Sequence, residues 1–297
     1  MKKKKNKIEN NRLGYLMTIP ATLLILLVDI YPLFNGISLS LQKYNLQHPD
    51  KRRFIGLDNY VDLFQDAEFL GVLGYTFFYT IVTVVASYLF GLILALIMNR
   101  KMPGKGIYRT LALLPWAVAP SVANVCWRLL FNDRVGIINI FLMKIGAIDS
   151  PILFLAKGDV ARYTVIFTDF WRDFPFMMIV LLASMSSIPR DLYESAYMDG
   201  AGFWSSFRYI TMPMIKGVSA ISTILMFIWV FNRFDNIYLL TGGGPNKATY
   251  TLPIMSYYTS FMRGNMGKAT AMAVVMLMVM TVVALIYLRV MKSEENE

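Results

Sequence analysis

Apolar residues gather along this chain into six runs of membrane length: Leu13 to Leu39, Val72 to Met98, Ile107 to Phe131, Ala161 to Leu182, Met214 to Leu240 and Ala269 to Leu288. A helix rises about 1.5 Å per residue, so roughly 20 apolar residues cross a hydrocarbon core of about 30 Å. Backbone N–H and C=O groups in lipid need partners within the segment, which an isolated strand lacks, so all six runs predict helices. No linker, low-complexity tract or internal repeat separates them, and the pattern reads as one all-α transmembrane domain over residues 1–297, with tails at 1–12 and 289–297.

The polar segment 185–213 between the fourth and fifth runs has its own periodicity. Ser187 is placed to accept from the free N–H groups of a helix start, Pro189 suits a first turn, and Asp191 with Glu194 complements the positive end of the dipole. Leu192, Tyr193, Ala196 and Tyr197 recur at helical spacing. Asp199-Gly200-Ala201-Gly202 then interrupts the helix, and a second short one runs through Phe203, Trp204, Phe207 and Tyr209 until Pro213 closes it. An amphipathic helix lying on lipid headgroups has this pattern. So does a protruding knob whose small Ser195, Ala196 and Gly200 enter a groove on a partner, while Arg190 and Glu194 make charged contacts at the rim.

Composition makes lipid the solvent: 56% of residues are apolar and 16% charged, against about 25% charged in soluble domains. The net charge of +10 raises nucleic acid as a partner, yet Lys2 to Lys5 sit beside the first apolar run, where positive charge orients a membrane protein. That puts the N-terminus inside and, after six crossings, both tails in the cytoplasm. Arg100, Lys101, Lys105 and Arg109 fall on the same side as 185–213. The first run is too long for a cleaved signal, contains Asp29 and lacks a small-x-small site, so it reads as an uncleaved helix. With one histidine, His48, and one cysteine, Cys126, there is no zinc constellation, and no Gly-x-Ser-x-Gly elbow occurs. Thr241 to Thr249 only imitates a phosphate loop, because Asn246 stands where Gly must precede the Lys. We therefore expect no catalytic residue, cofactor or metal in this chain, and energy drawn from another chain or an ion gradient.

Charge inside apolar runs is costly and faces a cavity or another charge, which singles out Arg128, Asp169, Arg172, Asp173, Arg233 and Asp235. Asp169, Arg172 and Asp173 lie at i, i+3 and i+4 on one helix face. Trp127, Trp171, Trp229, Asn232 and Asn236 flank these charges, a mixture of aromatic planes and hydrogen-bonding groups that suits a hydroxyl-rich substrate in a translocation pathway. The same positions also suit ion pairs tying helices together, Arg172 to Asp169 or Arg233 to Asp235. Met272, Met276, Met278 and Met280 in the last run read as packing, and Ser87, Gly91 and Ala95, four apart, as a close helix contact.

Glu194-Ser195-Ala196, Gly200, Ile210 and Met212-Pro213 resemble the Glu-Ala-Ala loop of ABC importer permeases, with Ser195 for the family's first Ala and Met212 for its Leu. Leu240 to Pro245 with Thr249 and Tyr257, and Phe54 to Tyr60, are similar to the carbohydrate-uptake branch that includes the maltose permease F and glycerol-phosphate permease A subunits. The likeness runs from about Phe54 onward, with a permease core at about 72–288. It implies the type I importer permease fold: six transmembrane helices and a cytoplasmic coupling helix between helices 4 and 5. Coupling would fall to Arg190, Glu194, Ser195, Ala196, Asp199, Gly200, Ile210, Met212 and Pro213. The implied partners are a second permease, two ATP-binding subunits that hold ATP and Mg, a periplasmic or extracellular sugar-binding protein and membrane lipid, with no nucleic acid. The implied role is half of a sugar-uptake pathway in a bacterial cytoplasmic membrane. An ion-gradient-driven secondary carrier or channel is the alternative.

Overall fold

The computed structural model describes residues 17–100 and 102–294. The basic tail 1–12, the opening of the first run, Lys101 and residues 295–297 lie outside them. The chain divides into two compact units, one made of residues up to Asp66 with Ser256–Val275, the other of Ala67–Met255 with the residues from Met276 on.

In the first unit, helix α1 (Met17–Ser40) is interrupted by a π turn at Leu26–Ile30. Most of its apolar side chains stand uncovered among the described residues: Leu24, Leu27 and Val28 are all more than 60% exposed. A hydrophobic helix bare on every side belongs in lipid or against another subunit. Strand β1 (Gln42–Lys43) pairs antiparallel with β2 (Arg53–Phe54), and α2 (Asp58–Gln65) follows. Asn59 ties this hairpin down, donating to the carbonyls of Ser40 at 2.7 Å and Gln42 at 2.9 Å. Gly267 sits so close to the Gln42 carbonyl that no Cβ fits, and Lys268 meets Asp66 at 3.3 Å.

The second unit is built on α3 (Ala67–Asn99), α4 (Lys105–Ala117), α5 (Pro120–Leu130), α6 (Ile137–Lys144), α7 (Gly158–Ser186), α8 (Arg190–Met198), α9 (Phe203–Phe231) and α10 (Asp235–Leu240). It also holds the start of α11 (Leu252–Tyr257) and the later part of α12 (Met266–Glu294). Helices α3 and α7 run side by side in parallel, and the small-residue contact expected from the sequence is met there. A Cβ on Gly91 would fall 2.7 Å from Met177 Cβ and 2.8 Å from the Met178 backbone nitrogen. Below it Leu92, Ala95 and Met98 pack on Met178, Leu181, Leu182, Met185 and Ile215. Met272 and Met276 are buried as expected, while Met278 points outward.

Three expectations are corrected. The third run is no straight span: α4 and α5 meet at 91°. Pro120 has no N–H and crowds the preceding residue, so Ala119 is extended (ψ 133°) and the helix must restart. The fifth run stops at Phe231, and Asn232–Phe234 lack helical structure before α10 begins. The fourth becomes the 29-residue α7, carrying Asp159, Arg162, Asp169, Arg172 and Asp173. Among the described residues, α1, α3, α9 and α12 are long and apolar enough to cross a membrane, with a fifth span where the bent α4–α5 pair counts as one.

Candidate functional site

The break after Phe231 turns Arg233 out of helical register and into α7. Its guanidinium donates to Asp169 at 2.7 Å and to Asp173 at 2.6 and 3.2 Å, and all three side chains are less than 10% exposed. Tyr79 of α3 donates its hydroxyl to the second Asp169 oxygen. Arg172, on the same face of α7, reaches Asp235 at the start of α10 at 3.4 Å. The ion pairs weighed from the sequence as the alternative to pathway lining, Arg172 to Asp169 and Arg233 to Asp235, do not form with those partners: Arg172 takes Asp235 and Arg233 takes Asp169 and Asp173, since residues two apart on a helix do not face each other and the break removes Arg233 from that helix. Asn236 donates to Thr168 at 3.3 Å. Eleven residues separate Gly158 from Asp169, about 17 Å of helix, so the cluster sits near the middle of α7.

Beside the cluster lies a cavity of about 500 Å³, lined by Trp116, Phe176, Trp229, Phe234, Asn232, Arg172, Asp173, Arg233 and Asp235. Its size falls within the roughly 300–1,000 Å³ of small-molecule sites, and its aromatic walls with a few convergent polar groups are the lining such sites have. Trp229 stands edge-on to Phe176 at 5.0 Å. Not every predicted pathway residue gathers here. Trp127 stacks on Phe131 and meets Trp171 edge-on at 5.2 Å, and with Phe154 and Phe167 it walls a separate apolar cavity of about 540 Å³. Arg128 is exposed in the last turn of α5, outside the cluster. Asn232 is exposed and bonds the Ile228 carbonyl. Sequence reasoning missed Tyr79, Trp116, Phe176 and Phe234. Tyr79 left a signal, since Thr76, Tyr79, Thr80, Thr83 and Ser87 form a buried polar stripe along an otherwise apolar helix.

At the end of this unit where α3 and α7 finish, α8 and the start of α9 form a bent pair. Gly200, at φ +81° with open space around it, makes the bend. None of the residues of α8 is buried, and Tyr197, Met198, Trp204 and Tyr209 are each more than 70% exposed. The inward side is tied down: Tyr193, Phe207, Ile210 and Met212 pack on the core of α3 and α7, and Tyr193 bonds Thr211 at 3.0 Å. Arg190 and Glu194 share a cleft with Lys105 and Asn99. Ser187 does not cap α8; its hydroxyl donates to the Ser184 carbonyl at 2.7 Å, so Pro189 precedes the helix with no side-chain cap. Pro213 closes nothing either. It is the second residue of the α-helical stretch Met212–Phe231, and the helix reaches it through a π turn at Phe207–Thr211 without a stop. The opposite end of the unit is held by Lys247 to Glu68 at 2.7 Å and by Arg162 donating to the Ala248 carbonyl at 2.8 Å.

The sequence model described as "binding-protein-dependent transport system inner membrane component" matches residues 87–293, which include both the bent pair and the charged cluster. The chain belongs to this family. It is 33% identical to the trehalose/maltose transport system permease protein MalF of Thermococcus litoralis, over 96% of each chain. It is 32% identical to the trehalose transport system permease protein SugA of Mycobacterium tuberculosis, over 96% of this chain and 90% of that one. The fold matches a subunit of a bacterial alginate ABC transporter crystallised with its alginate-bound periplasmic protein, with a TM-score of 0.83, 24% identity, and coverage of 95% of this chain and 94% of that one. This family member is a multi-pass membrane protein of the inner-membrane permease kind.

Proposed function

We propose that this chain is one permease subunit of a binding-protein-dependent ABC importer, forming half of the pathway for uptake of a sugar or oligosaccharide. The observation that carries the reading is the bent pair α8–α9: anchored inward on the α3–α7 core through Tyr193, Phe207, Ile210 and Met212, and bare outward along Tyr197, Met198 and Trp204. A rigid knob with an uncovered apolar face is what a neighbouring subunit grips to move a helix bundle. The names of the relatives, trehalose and maltose permeases, support the sugar.

In this reading α1, α3, the bent α4–α5 pair, α7, α9 and α12 are six crossings of a single transmembrane domain, with both termini in the cytoplasm. Arg190, Glu194, Ser195, Ala196, Asp199, Gly200, Ile210, Met212 and Pro213 form the coupling element. Two ATP-binding subunits carry ATP and Mg, a second permease completes the pathway, and a sugar-binding protein delivers substrate outside. ATP binding closes the ATPase pair, and the coupling element passes that movement to α7 and α9, shifting the population from inward to outward facing. Substrate passes along the aromatic cavity beside Arg172 and Asp235. Reconstitution with and without the ATP-binding subunits tests this. Uptake that needs those subunits and ATP is expected; uptake by the chain alone, driven by a proton or sodium gradient, contradicts it.

A further inference from the structure

Two guanidiniums and two carboxylates line the cavity, with a third carboxylate, Asp169, buried behind them, and they are not equivalent. Arg233 is sealed, 5% exposed and held by two carboxylates at 2.7 and 2.6 Å. Arg172 is 19% exposed, and its link to Asp235 is long at 3.4 Å, with Asp173 at 3.9 Å. Asp235 itself is 48% exposed and lines the cavity. Arginine is the side chain best matched to a carboxylate or sulfonate, through paired N–H donors. Here each cavity arginine already faces carboxylates of its own chain, and the cluster carries one negative charge more than positive. An acidic saccharide entering the cavity therefore finds no free cation and meets the half-exposed Asp235.

From this we propose that Asp235 is the charge filter of the cavity: by occupying Arg172 it restricts passage to uncharged, hydroxyl-rich saccharides, and its removal converts Arg172 into a receptor for acidic ones. The inference rests on the pathway reading above. The two arginines then differ in role, Arg233 tying the break between α9 and α10 to α7 and Arg172 standing as the cation that can be released.

The test uses the assembled importer, with its second permease and ATP-binding subunits, titrated in detergent with a galacturonate trisaccharide. Tryptophan fluorescence reports occupancy, because Trp116 and Trp229 line the cavity. Asp235→Asn keeps the shape, and Asp235→Ser serves as a second variant that also empties the position. Either is expected to bind the trisaccharide at least tenfold more tightly than the unmodified complex, with Asp235→Glu unchanged, and the gain is expected to vanish when Arg172→Gln is added. The inference is overturned when neither variant gains, or when the gain survives Arg172→Gln. Failure of the permease reading looks different, since it shows as uptake independent of the ATP-binding subunits whatever stands at residue 235.

Discussion

The charged cluster at the middle of α7 and the bent pair at its end invert each other. In the cluster, charged and polar side chains are buried and satisfied: Arg233, Asp169, Asp173 and the Tyr79 hydroxyl answer one another's hydrogen-bonding groups. In the bent pair, large apolar side chains stand in the open, Met198 84% and Trp204 75% exposed. A soluble protein would reverse both. The difference is one of completeness: the cluster's hydrogen bonds close among its own side chains, whereas the bent pair leaves large apolar side chains uncovered. Damage to the first should therefore appear chiefly in stability, and damage to the second chiefly in transport.

The largest effect is expected at Arg233. Arg233→Met leaves Asp169 and Asp173 buried without their cation, which costs about 3–5 kcal/mol, read as a fall in the melting temperature of the purified protein. Replacing Asp169 and Asp173 by Leu in the same protein should recover most of that loss, since an apolar triad of similar volume removes the stranded charges. Next comes Gly200→Asp. The position is left-handed at φ +81° but open, and Asp tolerates that region better than most residues, so about 1 kcal/mol of stability is at stake. Membrane insertion is expected to be normal and ATP-coupled uptake abolished; normal uptake would show that the bend is not the coupling element.

Gly91→Val disturbs the packing between α3 and α7. Its side chain would collide with Met177 and the α7 backbone at Met178, costing about 1–3 kcal/mol and moving the helix that carries the cluster. Chemical unfolding measures the cost. The smallest effect belongs to Lys247→Ala. The Lys247–Glu68 pair at 2.7 Å is about 40% exposed on both sides, so its loss should change stability by no more than ~1 kcal/mol, and the change should shrink further at high salt.

Much of this was legible in the residues, for physical reasons. Bilayer thickness sets the length of an apolar run, so α1, α3, α9 and α12 are visible without any tertiary information, whereas the third run bends by 91° and the fourth does not count among the long apolar spans. The bend at Gly200 follows from the glycines themselves, and Gly91 from its spacing with Ser87 and Ala95. Pairing within the cluster was not legible, because Arg233 chose α7 only once the helix broke after Phe231, and no Gly or Pro marks that break. The kink at Ala119 was within reach, as residues before proline avoid helical angles and Pro120 stood in the sequence. Ser187 misled because a serine near a helix start can also close the helix before it, and here it bonds Ser184. Trp127 and Trp171 are sequence neighbours of the charged positions yet turn toward each other, since adjacent residues on a helix point to different faces.

Cross-linking from the bent pair is the most direct test of the account. Cys126 is the one cysteine of the chain, so Cys126→Ser gives a background in which Ser195→Cys is the sole thiol. In membranes holding the whole importer, a short bifunctional reagent should join residue 195 to an ATP-binding subunit, and the yield should change when ATP is added. A thiol at 195 that reacts from the outside of the cell, or that labels only lipid, would contradict the account.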